Sequence, residues 1–341
     1  MVATLGWSVF DPNGDQLTCR VDLDGDGTFD RTIVPCNNAS RVLIQADSPG
    51  TTHPVLEVSD GVSGSDTRTT TLTVTPGPSE PFDITLQLAA DMAPEYQAAF
   101  RSAADRWAQV IVAGWPTEAL TIPDGFLGWI PGYDGNVDDL VISARDLEMD
   151  GPSGLLGHAG ALLTRSSTGQ PYFGVMEFDT ADLARLAELG RLQDVILHEM
   201  GHVLGMGTNW VFEGRIDDLL TDPSYNGPAA VAAWQELGGT GGVPIEDIGG
   251  VGTAAAHWRE RTFENELMTG FSDPDERLSR ITIGALADRG YGVDLDAADA
   301  YSLPSSSAAM RPVPSTPSGP TADVGHTEPL VPYADGRLPT M

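Results

Sequence analysis

Residues 198–206 read His-Glu-Met-Gly-His-Val-Leu-Gly-Met. The stretch contains H-E-x-x-H, with His198 and His202 four apart and Glu199 between them. On an α-helix, positions i and i+4 share a face, so both imidazoles can point at one metal ion. Glu199 follows the first histidine directly. That places its carboxylate beside a metal-bound water rather than on the metal, where a general base belongs. Two neutral imidazoles with an open coordination position favour Zn²⁺, a Lewis acid that brings the pKa of a bound water towards ~7. Five-residue patterns also arise by chance, and the plain alternative is an amphipathic helix whose histidines happen to fall four apart. Against it, Leu192, Val195 and Ile196 upstream and Val203 and Leu204 downstream mark a buried helix face. Two histidines and a glutamate on such a helix are costly to bury without a partner such as a metal. Gly205 then offers a left-handed helix end that turns the chain back under the metal.

A catalytic zinc takes three protein ligands plus water. The compact spelling H-E-x-x-H-x-x-G-x-x-H would place the third histidine where this chain has Thr208. Of the 6 histidines, His53 lies in a different segment and His326 in a proline-rich tail, which leaves His158 and His257. His257 precedes Trp258 and stands shortly before Glu266-Leu267-Met268-Thr269-Gly270. That run reads as a Met-turn, a tight turn passing a methionine beneath a zinc site.

Taken together, these motifs resemble the leishmanolysin-type zinc metallopeptidases. In that family an insertion of several dozen residues separates the glycine after the helix from a third histidine followed by tryptophan, and a Glu-Leu-Met turn comes soon after. The resemblance runs over residues 194–205, 207–210, 222–223, 249–253, 257–258, 266–270 and 278–301, and so covers most of 82–303. It implies that His198, His202 and His257 ligate one zinc and that Glu199 is the general base. It also makes Met268 the Met-turn residue and Gly205 the turn after the helix. No tyrosine closely follows Met268, so no transition-state help from one is expected. The cysteine-rich character of protozoan members is missing, which sets the chain closer in style to bacterial relatives. No cysteine-switch propeptide is visible.

The elements that must position these groups follow from periodicity. Pro94 opens a helix with Tyr96, Phe100, Ala103, Trp107 and Ile111 on one face, a core stripe rather than a cofactor box. Residues 82–89, 140–144 and 172–179 read as strands, the last edging the cleft, where it pairs with extended substrate through main-chain bonds. His158 reads as a loop histidine near the cleft. Residues 206–256, rich in glycine and acidic residues, are expected to form a partly ordered cleft wall, and 281–290 a late helix ending at Gly290.

Upstream, residues 17–21, 42–45, 53–58 and 69–75 are β-rich, with turn signals at Asp11-Pro12-Asn13-Gly14 and Ser48-Pro49-Gly50. The pattern predicts an antiparallel sandwich. It resembles polycystic-kidney-disease-type (PKD) or other immunoglobulin-like modules with the first strand missing, which suggests a truncated N-terminus. Cys19 and Cys36 are the only cysteines and are expected to form a disulfide, two buried thiols being the alternative. Asp22, Asp24, Asp26 and Asp30 fit a Ca²⁺ loop, but Ile33 occupies the place of its bidentate glutamate, so the spelling favours an acidic hairpin.

The expected organisation is an all-β immunoglobulin-like sandwich at 1–75, a linker at 76–81, an α+β metzincin-like zinc peptidase domain at 82–303 and a Pro/Ser-rich disordered tail at 304–341. Arginine supplies all 18 cations against 49 acidic residues, giving a net charge of −31 that argues against nucleic-acid partners. No apolar run is long enough to span a membrane, and no signal peptide is visible. The expectation is a secreted or cell-surface monomeric zinc endopeptidase acting on polypeptides, with the β-module as a spacer or as a binder of a surface, protein or glycan. Two alternatives stand beside it. One is a binding protein with a degenerate protease domain, which usually loses the base or a ligand; the other is zinc-dependent hydrolysis of a non-peptide substrate.

Overall fold

A computed structural model describes residues 2–36, 38–45, 50–62, 64–74, 81–151, 156–207, 209–250 and 252–304. The linker expected at 76–81 and the tail expected at 304–341 therefore lie outside the described residues, apart from Pro81 and Pro304. The chain divides into two compact units, Met1–Gly77 and Pro78–Met341.

The described part of the first unit contains strands and no helix. Thr18–Asp22 and Val55–Ser59 form the centre of a four-stranded antiparallel sheet, flanked by Arg31–Ile33 and Ser65–Thr69. Two further antiparallel pairs join Val2–Val9 to Asn38–Gln45 and Gly50–Thr52 to Leu72–Val74. The strand at Val2–Val9 is one that the β-rich pattern did not single out. The run expected as one strand over 69–75 is broken at Thr70 and Thr71. The small core is Leu17 with the Cys19–Cys36 disulfide, whose Cα atoms lie 5.9 Å apart, and Val9, Ile33, Leu56 and Val58 pack against it.

The second unit carries a four-stranded sheet in the order Gly157–Thr164, Pro171–Asp179, Leu140–Leu147, Ile84–Leu88. The last three strands run parallel, and Gly157–Thr164 joins antiparallel at one edge. Helix α1 (Pro94–Val110) starts with proline at its first turn and buries Tyr96, Ala99, Phe100, Ala103, Trp107 and Val110, the spacing of one helix face. Helix α2 (Thr180–Leu189) is capped by Asp179, whose carboxylate accepts from the Ala181 and Asp182 amides. Helix α3 (Leu192–Val203) is buried from Val195 through Val203, as expected of a helix enclosed on every side. The Trp107 indole of α1 donates to the Leu197 carbonyl at 3.0 Å, and the Tyr291 hydroxyl donates to the Leu204 carbonyl at 3.0 Å. These two bonds fix the middle and the end of α3 against its neighbours.

Two expectations change here. The strand at Pro171–Asp179 is interior to the sheet, paired on both sides; the edge belongs to Gly157–Thr164. His158 therefore sits on a strand, opposite Glu177, rather than in a loop. The segment after α3 is also more regular than its glycine content suggests. It contains α4 (Asn209–Phe212), a three-stranded sheet of Ile216–Asp217, Ser224–Tyr225 and Val243–Pro244, and α5 (Pro228–Glu236). Its order comes from aromatic burial: Trp210, Tyr225 and Trp258 pack together with ring centroids 4.5 to 5.5 Å apart. Helices α6 (Glu260–Phe263) and α7 (Arg280–Asp288) follow, α7 capped by the Ser279 hydroxyl.

Candidate metal centre

His198 and His202 lie on the buried face of α3, and His257 lies in the loop before α6. All three are buried, with His257 at 0% exposure. Their Nε2 atoms converge: His198 to His202 is 3.0 Å, His202 to His257 is 3.0 Å and His198 to His257 is 3.2 Å. Each Nδ1 faces a backbone carbonyl, Leu267 at 2.6 Å, Met206 at 3.1 Å and Thr253 at 3.0 Å for His198, His202 and His257 respectively. A carbonyl oxygen can only accept, so each Nδ1 carries the proton and each Nε2 presents a lone pair. Three acceptor lone pairs facing one another at this separation are what a cation binds. The donor set therefore fits a divalent metal of the zinc type, held by three imidazoles.

Local backbone explains how residues so far apart in sequence meet. After Leu204, Gly205 takes φ of 96° and Gly207 φ of 80°. A Cβ at Gly207 would sit 2.2 Å from the Ala256 carbonyl oxygen. The chain leaving α3 thus passes directly against the residue before His257, an approach open only to glycine. Below the triad, a Cβ on Gly201 would lie 2.8 Å from the Met268 sulfur. The turn carrying Met268 thus packs straight onto the helix between the two helical histidines. The Trp258 amide donates to the Met268 carbonyl at 2.9 Å, which ties His257's neighbour to the same turn.

Glu199 is at 0% exposure, and neither carboxylate oxygen has a protein hydrogen-bond partner. Burial pushes its pKa well above the usual carboxylate range, and the charge of Glu276 adds to the effect. Glu276, at the end of the loop after the methionine turn, carries no motif, and sequence reading missed it. Reading from sequence also passed over Glu266 beyond its place in the Glu-Leu-Met run. Its buried carboxylate accepts from the Met268 amide at 2.7 Å, the Ser279 amide at 3.2 Å and the Ser279 and Thr282 hydroxyls at 2.7 and 2.6 Å. Burial raises its pKa while these bonds pull the other way.

The other marked residues lie elsewhere. His158 is outside the triad, on the edge strand. His53 and the Asp22–Asp30 loop belong to the first unit. Asp22, Asp24 and Asp30 draw together, while Asp26 is not in the group. In that loop Asp22 accepts from the Gly25 and Gly27 amides at 2.7 and 2.8 Å, and Asp30 accepts from Leu23 at 2.7 Å, the bonding of an acidic turn closed on its own backbone. Thr208 and His326 lie outside the described residues.

With this geometry in place, comparison with known proteins points in the same direction. Residues 158–308 match the leishmanolysin family model. The span takes in the edge strand, α3 and all three histidines. The chain is similar to a leishmanolysin homolog of Crithidia fasciculata, 30% identical over 136 residues, which is 37% of this chain and 20% of that protein. It is 32% identical over 137 residues to leishmanolysin of Leishmania donovani, 37% of this chain and 23% of that protein. A leishmanolysin-like peptidase of Drosophila melanogaster matches at 36% over 87 residues, 24% of this chain and 12% of that protein. The alignments thus span less than a quarter of the length of these relatives. These similarities support a leishmanolysin-type peptidase domain around the metal centre, within a mixed α/β unit. Among the described residues no helix is long and apolar enough to cross a membrane.

Proposed function

We propose that this chain is a zinc-dependent endopeptidase acting on extracellular polypeptides. The observation that carries the reading is the convergence of three Nδ1-protonated imidazoles, with a buried, unpartnered glutamate next to one of them in sequence. His198, His202 and His257 would hold the ion. Bound there, zinc supplies Lewis acidity towards a water and a scissile carbonyl. Glu199 takes a proton from the attacking water at its carboxylate and passes it to the leaving amine, a role suited to a buried carboxylate with both oxygens unengaged. Met268 forms the floor beneath the histidines, and Gly205 starts the turn that leads away from them. An extended substrate adds to the edge strand Gly157–Thr164 through main-chain bonds. The first unit, read as an immunoglobulin-like module, spaces the enzyme or directs it to a surface, protein or glycan.

The test is casein cleavage by the purified protein beside Glu199→Ala, with bound zinc measured on both. The expected outcome is zinc on both proteins and a loss of at least about 10²-fold in turnover for the variant. Zinc on both with no cleavage by either would move the reading to a latent enzyme, a narrow substrate or a binding protein built on a peptidase fold. His257→Ala should lose most of its zinc; unchanged zinc content would overturn the choice of third ligand.

A further inference from the structure

Glu266 lies outside the metal triad, yet its hydrogen bonds lead to it by two routes. The Leu267–Met268 peptide unit is the first. Its N–H, on Met268, donates to Glu266 Oε2 at 2.7 Å, and its carbonyl, on Leu267, accepts from His198 Nδ1 at 2.6 Å. One peptide group therefore stands between a carboxylate and a ligand imidazole, with both of its polar ends engaged in the same sense. The second route runs through Thr282. Its hydroxyl accepts from the Trp258 indole at 2.8 Å and so must donate to Glu266 Oε1 at 2.6 Å. Trp258 directly follows His257.

The proton directions are settled by the partners. Ser279 Oγ accepts from the Ile281 amide at 3.1 Å, so its own proton goes to Glu266. All four groups around Glu266 are then donors, and the side chain is an acceptor-only carboxylate at 0% exposure. A negative charge on the N–H side of a peptide polarises it and makes its carbonyl a stronger acceptor, and chains of hydrogen bonds strengthen one another in a low dielectric. The three histidines differ accordingly. The Nδ1 contact of His198 is 2.6 Å, against 3.1 Å for His202 and 3.0 Å for His257. Behind His257, the Ala254 amide of the corresponding peptide donates to the Gly250 carbonyl, not to a carboxylate.

We infer that Glu266 is a positioning residue for the metal centre: through the Leu267–Met268 peptide it orients His198 and raises its strength as a ligand, in the way a directly bonded carboxylate does for a metal-bound histidine. The inference rests on the three-histidine metal reading proposed above. Glu266→Gln is the sharp variant, since it keeps size and removes charge. Whichever way the amide is turned, its NH₂ faces a backbone N–H, of either Met268 or Ser279.

Zinc affinity of wild type and Glu266→Gln would be measured by chelator competition, with the cobalt-substituted visible spectrum and the thermal midpoint of the metal-free proteins alongside. The expected result is a loss of about 10- to 100-fold in zinc affinity and a shifted cobalt spectrum, at a metal-free midpoint that still reports a folded protein. Wild-type affinity and an unchanged spectrum in a folded variant would overturn the inference. Should the variant not fold, wild type answers alone: in the zinc-loaded protein the Nδ1 proton of His198 should resonate furthest downfield of the three ligand histidines, and equal shifts would overturn it. A wild-type protein that binds no zinc sinks the metal reading itself. Tight wild-type binding with no effect of Glu266→Gln sinks only the role of Glu266.

Discussion

Gly201 shows how a single side chain, or its lack, sets the site. Placed between the two helical histidines, it leaves space that the Met268 sulfur fills, and the Trp107 ring stands 3.3 Å from where its Cβ would be. Methionine is adaptable, but this one is at 0% exposure, so its shift would press on other core groups. Gly201→Ala should therefore destabilise the protein by about 1–3 kcal/mol through overpacking, less up to about 1 kcal/mol regained from helix propensity. Thermal midpoint and zinc retention measure it together. A variant as stable as wild type and fully loaded would mean that Met268 moves aside freely. The motif letters mark Gly201 only as a variable position, so its role was not legible until Met268 was seen beneath it.

Among the elements, the segment from α5 to α6 carries the third histidine, and ion pairs help to hold it. Asp247 accepts from both guanidinium ends of Arg261, at 2.6 and 2.8 Å. That bonding holds the Asp247 pKa down to about 2. A carboxylate depressed in the folded state contributes stability above its unfolded value, and the contribution is lost as pH falls through the folded one. The pair is partly exposed, so its worth is modest, about 0.2–1 kcal/mol. Asp247→Asn should lower the thermal midpoint by a degree or two at neutral pH, and the gap between the proteins should close as pH drops from about 4 to about 2. A gap that persists unchanged at the acid end would assign the effect to packing rather than charge. At this scale helices were legible, because α1 carries a proline start and both α1 and α3 carry apolar periodicity. Strand rank within the sheet was not: an apolar run such as Pro171–Asp179 reads alike at an edge or in the interior.

For the molecule as a whole, the two units differ in what stabilises them. Among the described residues of the first, the buried cluster is Leu17 with the Cys19–Cys36 disulfide, which closes a loop with a sequence separation of 17. Such a small core leans on its cross-link, worth about 3 kcal/mol in the chain-entropy account. The second unit contains no cysteine and buries an extensive apolar core around α1 and α3. Reduction should lower the unfolding transition of the first unit alone, leaving the transition and the zinc content of the second unmoved. Calorimetry with and without reductant reads both. A common downward shift would show that the units unfold as one.

The chain's letters by themselves marked the candidate site: H-E-x-x-H puts two imidazoles and a carboxylate on one helix because α-helical geometry is local and periodic. They also marked His257, Trp258 and the methionine turn as belonging together through resemblance to a family. Only the tertiary structure decided that the three Nε2 atoms meet within 3.2 Å, that each ring is oriented by a backbone carbonyl, and that Glu266 stands behind one of those carbonyls. Backbone carbonyls are identical at every residue, so no sequence pattern distinguishes the ones that orient these rings. Folding selects them, by bringing Leu267, Met206 and Thr253 to the three rings.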